Sequence, residues 1–167
     1  MFPGFRQAVR TWIDESLRRT APLWAVAILR VYLGLGFLSA ASNKIFSWWA
    51  SWPQNMSQFL TSQLKQTYGF YRPFIVGVVL PHAALFARAI AVTEVALGLL
   101  LLFGAATRLA AVIGLVLIVN YTLAFGEIPW QSGQDQAFLV GLVIVLITDA
   151  GKAFGLDQWL ARAGSPA

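Results

Sequence analysis

Three long apolar runs dominate this sequence, and they extend from Leu23 to Ser42, from Ala83 to Ala106 and from Leu109 to Gly126. Each has the roughly 17 to 25 residues that an α-helix needs to cross the hydrocarbon core of a bilayer. A fourth run, Ala137 to Thr148, has 12 residues and spans only if the flanking Ser132 to Gln136 and Asp149 to Ala150 join its helix. The pattern predicts a bundle of membrane helices.

The composition agrees with this prediction. The chain has 167 residues, of which 58% are hydrophobic and 11% charged, whereas soluble domains are about 25% charged. We therefore expect an all-α, integral membrane four-helix bundle in a single domain. The expected spans are residues 23–43, 83–106, 108–126 and 133–150, and residues 151–167 form a tail.

Two further segments are expected to lie at the membrane surface. Residues 1–20 place apolar and basic side chains on opposite helical faces, which predicts an amphipathic helix in the interface. Residues 45–82, between the first two spans, are dense in aromatic residues, which favour the headgroup level. A signal peptide is disfavoured, because Arg30 interrupts the first apolar run.

The distribution of Lys and Arg orients the predicted spans. Basic residues are concentrated before the first span, in the turn after the second and in the tail: Arg6, Arg10, Arg18, Arg19, Arg108, Lys152 and Arg162. The alternate side has Lys44, Lys65 and Arg72 spread over a long segment. Under the positive-inside rule, both termini are expected in the cytoplasm and residues 45–82 outside it.

Two charges lie deep inside predicted spans, Arg30 in the first and Glu94 in the second. Such a charge costs about 2.5 to 3.5 kcal/mol on insertion scales, so it normally pairs or faces a polar path. Because the two charges have opposite signs, we expect them to pair. The pair could fix helix register only, or it could form a catalytic centre of Arg30 and Glu94.

Small residues accompany Glu94 on one face of the second span. Ala87, Ala91 and Gly98 share this face at helical spacing. Small residues in this arrangement allow two helix backbones to approach closely. We therefore expect Glu94 to face protein rather than lipid.

Polar and aromatic residues of the first and third spans are candidates for binding a flat, lipophilic head group such as a quinone ring. They are Asn43, Lys44, Trp48, Trp49 and Trp52 at the outer end of the first span, and Asn120 and Tyr121 at about mid-depth in the third. An aromatic belt with a lysine extended toward the headgroups is the alternative for the first group. Packing between helices is the alternative for Asn120.

Several classes of function are excluded by residue type. The chain has no cysteine, so it cannot supply thiolates to an iron–sulfur cluster or to zinc, and its one histidine excludes a bis-His haem within one copy. The net charge of +5 is explained by membrane orientation, so nucleic acid is not an expected partner. A redox role would use a bound organic molecule or a partner's cofactor.

Motifs in order along the chain resemble the DoxX/DoxD family of small four-helix membrane proteins. They are Leu29 to Gly34 continuing to Phe37, Ala40 and Lys44, then Glu94 to Gly98 with Gly104 and Thr107 to Ala111, and finally Asp149 to Leu160. The resemblance implies matching family positions at Arg30, Lys44, Glu94 and Arg108. It also implies a bacterial or archaeal cytoplasmic membrane.

Members of that family are known from a thiosulfate:quinone oxidoreductase and from other redox-linked membrane complexes. The resemblance therefore implies an integral membrane subunit of a quinone-linked oxidoreductase that oxidises a reduced sulfur compound such as thiosulfate. Quinone would be its cofactor, and the bilayer and other subunits its partners. The alternative is a non-catalytic subunit that anchors or assembles a larger membrane complex.

Overall fold

The computed structural model describes residues 23–47, 51–126, 133–148 and 150–158, and the regular elements in these ranges are all helical. The five longest are α1 (Leu23–Ser42), α2 (Trp52–Gln63), α3 (Ala83–Phe103), α4 (Thr107–Phe125) and α5 (Gly133–Ile147). Two π-helical turns, Asn43–Ser47 and Ile75–Val79, follow α1 and the short helix Arg72–Phe74, and a 3₁₀ turn, Ala150–Lys152, follows α5. The predicted N-terminal helix, residues 1–20, lies outside the described residues.

Three helices in the described part of the chain are long and apolar enough to cross a membrane. They are α1 extended through its π turn to give Trp24–Phe46, together with α3 and α4. The shorter α5 has 15 residues and is therefore about 22 Å long at 1.5 Å per residue. It includes Gly133 to Gln136, as a fourth span would require, but Ala150 lies in the separate 3₁₀ turn.

The four apolar helices pack around a common core. Helix α1 packs against α3 and α5, and α4 packs against α3 and α5. Leu33, Leu97, Leu101, Leu142 and Val145 are buried at the centre. Large apolar side chains on the opposite face of α1, such as Trp24, Ile28 and Leu35, are more than half exposed, as expected for a surface in contact with lipid.

The bundle has two ends, and each is built from segments that are distant in sequence. We call one of them the Lys44 end, which contains the first π turn, α2 and the start of α5. We call the other the Gly104 end, which holds the turn from α3 to α4 and residues 150–158. Successive helices run in opposite directions between these two ends.

The crossing of α1 and α3 is the tightest contact between the helices. A Cβ atom at Gly34 would lie 2.9 Å from both the Gly98 carbonyl oxygen and the Leu102 nitrogen. Gly98 is buried, as are Ala87, Ala91 and Glu94 on the same face of α3. The predicted seam of small residues is thus confirmed, with Glu94 facing protein.

Residues 52–80 form a second packed layer at the Lys44 end. Met56 and Leu60 of α2 and Ile75 and Val79 of the second π turn are buried against Ala83, Ala87 and Ala124. The Thr67 hydroxyl donates a hydrogen bond to the Ala124 carbonyl at 2.7 Å. This layer therefore packs onto α3 and α4, which produces a cavity beneath it.

We expect Gly34→Ala to destabilise the protein, because the added methyl group meets backbone atoms that cannot rotate away. Overpacking of this kind costs about 1 to 3 kcal/mol. The matched control is Gly77→Ala, since nothing lies within 4 Å of a Cβ built at Gly77. Glycine in a helix is about 0.5 to 1 kcal/mol less stable than alanine, so the control should be neutral or stabilising.

Thermal unfolding in detergent distinguishes the two variants. Gly34→Ala should lower the midpoint and Gly77→Ala should not. Equal midpoints for the two variants would show that the α1–α3 crossing is looser than described.

Candidate functional site

Arg30 and Glu94 do not pair, so the expected contact between them is wrong. The guanidinium of Arg30 donates hydrogen bonds to main-chain carbonyls of residues 150–154, whereas Glu94 forms its ion pair with Lys44. The α1–α3 crossing explains the separation. From Gly34 and Gly98, Arg30 lies four residues toward the Gly104 end and Glu94 four residues toward the Lys44 end, which is about 12 Å along the axis.

Side-chain direction increases this separation. Each Cα–Cβ bond in an α-helix is tilted toward the N-terminus of its own helix. Because α1 and α3 are antiparallel, the side chains of Arg30 and Glu94 diverge. Lys44 lies in the π turn that continues α1 beyond the level of Glu94, and its side chain tilts back toward Glu94, so these two side chains converge.

Glu94 is the centre of a polar cluster at the Lys44 end. Its side chain is 1% exposed and its Oε1 atom accepts hydrogen bonds from Lys44 Nζ and from the Tyr121 hydroxyl, the latter at 2.7 Å. The Lys44 side chain is 15% exposed. Removing one partner of a buried ion pair leaves the other charge uncompensated, which destabilises a protein by about 3 to 5 kcal/mol. Lys44 and Glu94 therefore stabilise each other in the folded state.

Lys44 also lies over an aromatic ring. Its Nζ is 5.7 Å from the centroid of the Tyr121 ring, which is within the range of a cation–π interaction. The residue belongs to the π-helical turn Asn43–Ser47. Such turns are rare in proteins, and those that occur are often found at functional sites. The turn positions the ammonium group between Glu94 and the space beside it.

That space is a cavity of about 390 Å³ between α2, the second π turn, α3 and α4. Its volume is in the range of ligand pockets, about 300 to 1,000 Å³. Four polar side chains line it, those of Lys44, Tyr71, Asn120 and Tyr121. Apolar side chains complete the wall, including Phe59, Phe74, Phe86, Ile90, Leu117 and Phe125.

Aromatic rings hold the wall in place. Tyr121 stacks on Phe125 with centroids 5.8 Å apart, and Phe59 contacts Phe125 edge to face at 5.3 Å. Such pairs contribute about 0.5 to 1.5 kcal/mol beyond their buried area. The result is a largely apolar space with polar groups at its margin.

A hydrogen bond between Tyr71 and Asn120 closes one side of the cavity. The Tyr71 hydroxyl donates to Asn120 Oδ1, and Asn120 Nδ2 donates to the Val116 carbonyl at 2.7 Å. Burial raises the pKa of the Tyr71 phenol, so it remains a hydrogen-bond donor at neutral pH. The Asn120 amide nitrogen has two N–H groups, and the one that does not bond to the Val116 carbonyl can donate a hydrogen bond to a ligand.

The sequence anticipated part of this site. Lys44, Asn120 and Tyr121 line the cavity, and Glu94 lies behind Lys44 and Tyr121. Asn43 is exposed and is not among the lining residues. Trp48, Trp49 and the side chain of Trp52 lie outside the described residues, so their predicted binding role stays a prediction.

Tyr71 and the phenylalanines of the wall were not predicted as site residues. Tyr71 is one of many aromatic residues between the first two spans. In the structure it precedes the helical stretch 72–79 and hydrogen-bonds Asn120 of α4. The sequence did not indicate which of these aromatics would reach Asn120.

A second polar cluster lies at the Gly104 end and contains Arg30. Its Nη1 donates hydrogen bonds to the carbonyls of Ala150, at 2.8 Å, and Ala153, at 3.2 Å. Arg30 is 1% exposed. The guanidinium therefore satisfies carbonyls of the 3₁₀ turn and of the irregular chain after it, which need hydrogen-bond partners because they are buried.

Asp157 completes this second cluster. Its carboxylate accepts hydrogen bonds from the backbone N–H groups of Ala106, at 2.7 Å, and Thr107, at 3.0 Å, and so caps the N-terminus of α4. Gly104 has φ +65°, and a Cβ there would collide with the Arg30 guanidinium. Arg30 thus fastens residues 150–158 to the bundle and lies outside the cavity.

Comparison with known proteins identifies one similarity. The model of the family described as DoxX matches residues 25–127. The matched range contains the four polar lining residues, Lys44, Tyr71, Asn120 and Tyr121, together with Glu94. No curated protein matches the chain, and no solved structure matches it.

Proposed function

The chain belongs to the DoxX family of multi-pass membrane proteins, and we propose that it is the membrane subunit of a quinone-linked oxidoreductase that binds the quinone ring in the cavity at the Lys44 end. The observation that supports this most strongly is the combination of an aromatic-lined cavity with a cation at its margin and a buried carboxylate paired to that cation.

The lining fits a quinone head group chemically. When bound, a quinone accepts two electrons and two protons and becomes a quinol. The rings of Phe59, Tyr121 and Phe125 offer apolar surface, while Lys44 and the Asn120 amide offer hydrogen-bond donors to carbonyl oxygens. The bilayer would be the route by which such a lipophilic molecule arrives.

The charged residues have separate parts in this proposal. Lys44 holds a positive charge at the cavity margin, where a fixed cation stabilises negative charge that develops during reduction. Glu94 holds or releases a proton behind Lys44, as a buried general acid or base does. Arg30 is assigned to stability, because its guanidinium is bonded to carbonyls at the other end of the bundle.

Electrons are proposed to come from a partner subunit or directly from the donor. The absence of cysteine and the single histidine leave this chain without the residues that ligate iron–sulfur clusters or a bis-His haem. A reduced sulfur compound such as thiosulfate is the donor that we propose. An anchoring role in a larger complex is the competing function, in which Lys44 and Glu94 would serve packing only.

We expect Lys44→Met to weaken quinone binding, because it removes the charged donor at the cavity margin. A hydrogen bond to a charged group contributes about 1.5 to 3 kcal/mol, so the dissociation constant should rise roughly ten- to a hundredfold. The measurement is titration of the purified protein with a short-chain benzoquinone, followed by tryptophan fluorescence. Lys65→Met, at an exposed lysine outside the cavity, is the matched control.

A second variant blocks the cavity without removing a charge. Ala124→Leu adds a larger side chain from α4 and leaves the Lys44–Glu94 ion pair unchanged, so it should also abolish quinone binding. Thermal unfolding checks that the variant is folded. If the wild-type protein binds no quinone and purifies with a partner protein, the anchoring function is favoured instead.

We further propose that α5 is a fourth span and that the Lys44 end faces away from the cytoplasm. Arg108 and Lys152 at the Gly104 end support this orientation. Because the chain has no cysteine, single cysteines can be labelled without background. Gly133→Cys should react with an impermeant maleimide in intact cells, whereas Lys152→Cys should react only after permeabilisation.

Gln66→Cys, an exposed residue at the Lys44 end, is the control and should react like Gly133→Cys. Labelling of Gly133→Cys and Lys152→Cys from the same side would exclude α5 as a span.

A further inference from the structure

Four polar residues on three helices lie in one layer of the bundle. Gly34 faces Gly98, so Glu94 is level with Leu38 of α1. Gly36 faces Phe138 and Gly141 faces Leu33, so Gln136 of α5 is also level with Leu38. Helix register thus places the side chains of Glu94 and Gln136 at the same depth.

The packing of α4 on α5 places two more residues in this layer. Gly114 faces Leu142, and seven residues further toward the Lys44 end on each helix are Tyr121 and Asp135. The charge of Asp135 acts on the Tyr121 phenol, which agrees with this register. Asp135 is half-buried in the first turn of α5, so it connects this layer to the protein surface.

Two polar atoms of the layer are buried without a hydrogen-bond partner in the part of the chain that the structure describes. They are Glu94 Oε2, an acceptor, and Gln136 Nε2, a donor. Buried polar groups normally have a partner, which is often an ordered water. A water molecule that accepts from Gln136 Nε2 and donates to Glu94 Oε2 would satisfy both atoms.

We infer that Asp135, and a water held by Gln136, carry protons from the surface at the Lys44 end to Glu94. The inference rests on the proposed function, since it supplies protons to the same cavity. Glu94 then has two sides. Its Oε2 faces the supply, and its Oε1 contacts Lys44 and Tyr121, which line the cavity.

The transfers balance one proton at a time, and no electron moves through these residues. A proton that Lys44 gives up at the cavity margin leaves a neutral amine. The Glu94 carboxylate then takes a proton from the water on its Oε2 side, and Asp135 replaces the proton that the water lost and is itself reprotonated from solvent. The protonated Glu94 passes its proton to the Lys44 amine, which restores the ion pair of ammonium and carboxylate. Gln136 is a positioning residue, because an amide holds the water without transferring a proton.

The test is hydrogen–deuterium exchange of the Glu94 carboxyl, measured by infrared spectroscopy in the purified full chain. The carbonyl band of the protonated acid is assigned by its loss in Glu94→Gln. After transfer to D₂O at acidic pH, the band shifts as deuterium replaces the carboxyl proton. In Asp135→Asn and Gln136→Leu this shift should be at least about tenfold slower than in the wild type, because a positioned proton donor accelerates proton transfer by a factor of about 100 or more.

The readout separates a proton path from a structural role. A bundle that is merely loosened by the substitution exchanges faster rather than slower. Gln58→Leu makes the same chemical change at an exposed position of α2 and should exchange at the wild-type rate. Asp135→Asn, which is nearly isosteric, keeps the test decisive if Gln136→Leu fails to fold.

Quinone titration of the same preparations distinguishes this inference from the proposed function. Unchanged quinone affinity in Asp135→Asn and Gln136→Leu with slowed exchange supports both. Slowed exchange in a protein that binds no quinone supports the path and contradicts the function. Exchange at the wild-type rate in both variants overturns the path, whatever the quinone affinity.

Discussion

The close approach of Gly34 to Gly98 determines how the charges of this protein are distributed. In a bilayer, water is not available to shield a charge in the bundle, so each buried charge must find its partner within reach of its own helix position. The crossing fixes which residues are within reach. It places Arg30 on one side and Glu94 on the other, and each charge has its partners at its own end of the bundle.

The two ends use the same principle for different purposes. At the Gly104 end, Arg30 and Asp157 bind backbone carbonyls and N–H groups, so both charges stabilise irregular chain around the α3–α4 turn. At the Lys44 end, Lys44 and Glu94 bind each other and Tyr121 beside a cavity. Both ends have a cavity, but the one of about 390 Å³ at the Lys44 end is lined mainly by apolar and aromatic side chains, whereas the one of about 300 Å³ at the Gly104 end is lined by Arg108, Lys152 and Asp157 among others. The proposed chemistry is therefore assigned to the Lys44 end.

The sequence predicted the elements of the fold well because they depend on local composition. Apolar length identified α1, α3 and α4, and the spacing of Ala87, Ala91 and Gly98 correctly placed Glu94 in a helix seam. Lys44, Asn120 and Tyr121 were also predicted as binding residues from residue type and depth, and all three line the cavity.

Pairing could not be predicted in the same way, because it depends on register. The opposite signs of Arg30 and Glu94 favour a pair, but the sequence reveals neither the Gly34–Gly98 crossing nor the opposite tilt of the two side chains. Asp157 was missed because its partners, Ala106 and Thr107, are about 50 residues away in sequence. Tyr71 reaches Asn120 only through the fold of residues 72–80.

A pair of double-mutant cycles in unfolding free energy tests the charge assignment most directly. One cycle combines Lys44→Met with Glu94→Gln, and the other combines Arg30→Met with Glu94→Gln. Residues in contact couple by about 0.5 to 3 kcal/mol, while distant residues add to within about 0.5 kcal/mol. The structure predicts coupling in the first cycle and additivity in the second. Coupling of Arg30 to Glu94, with Lys44 and Glu94 additive, would contradict it.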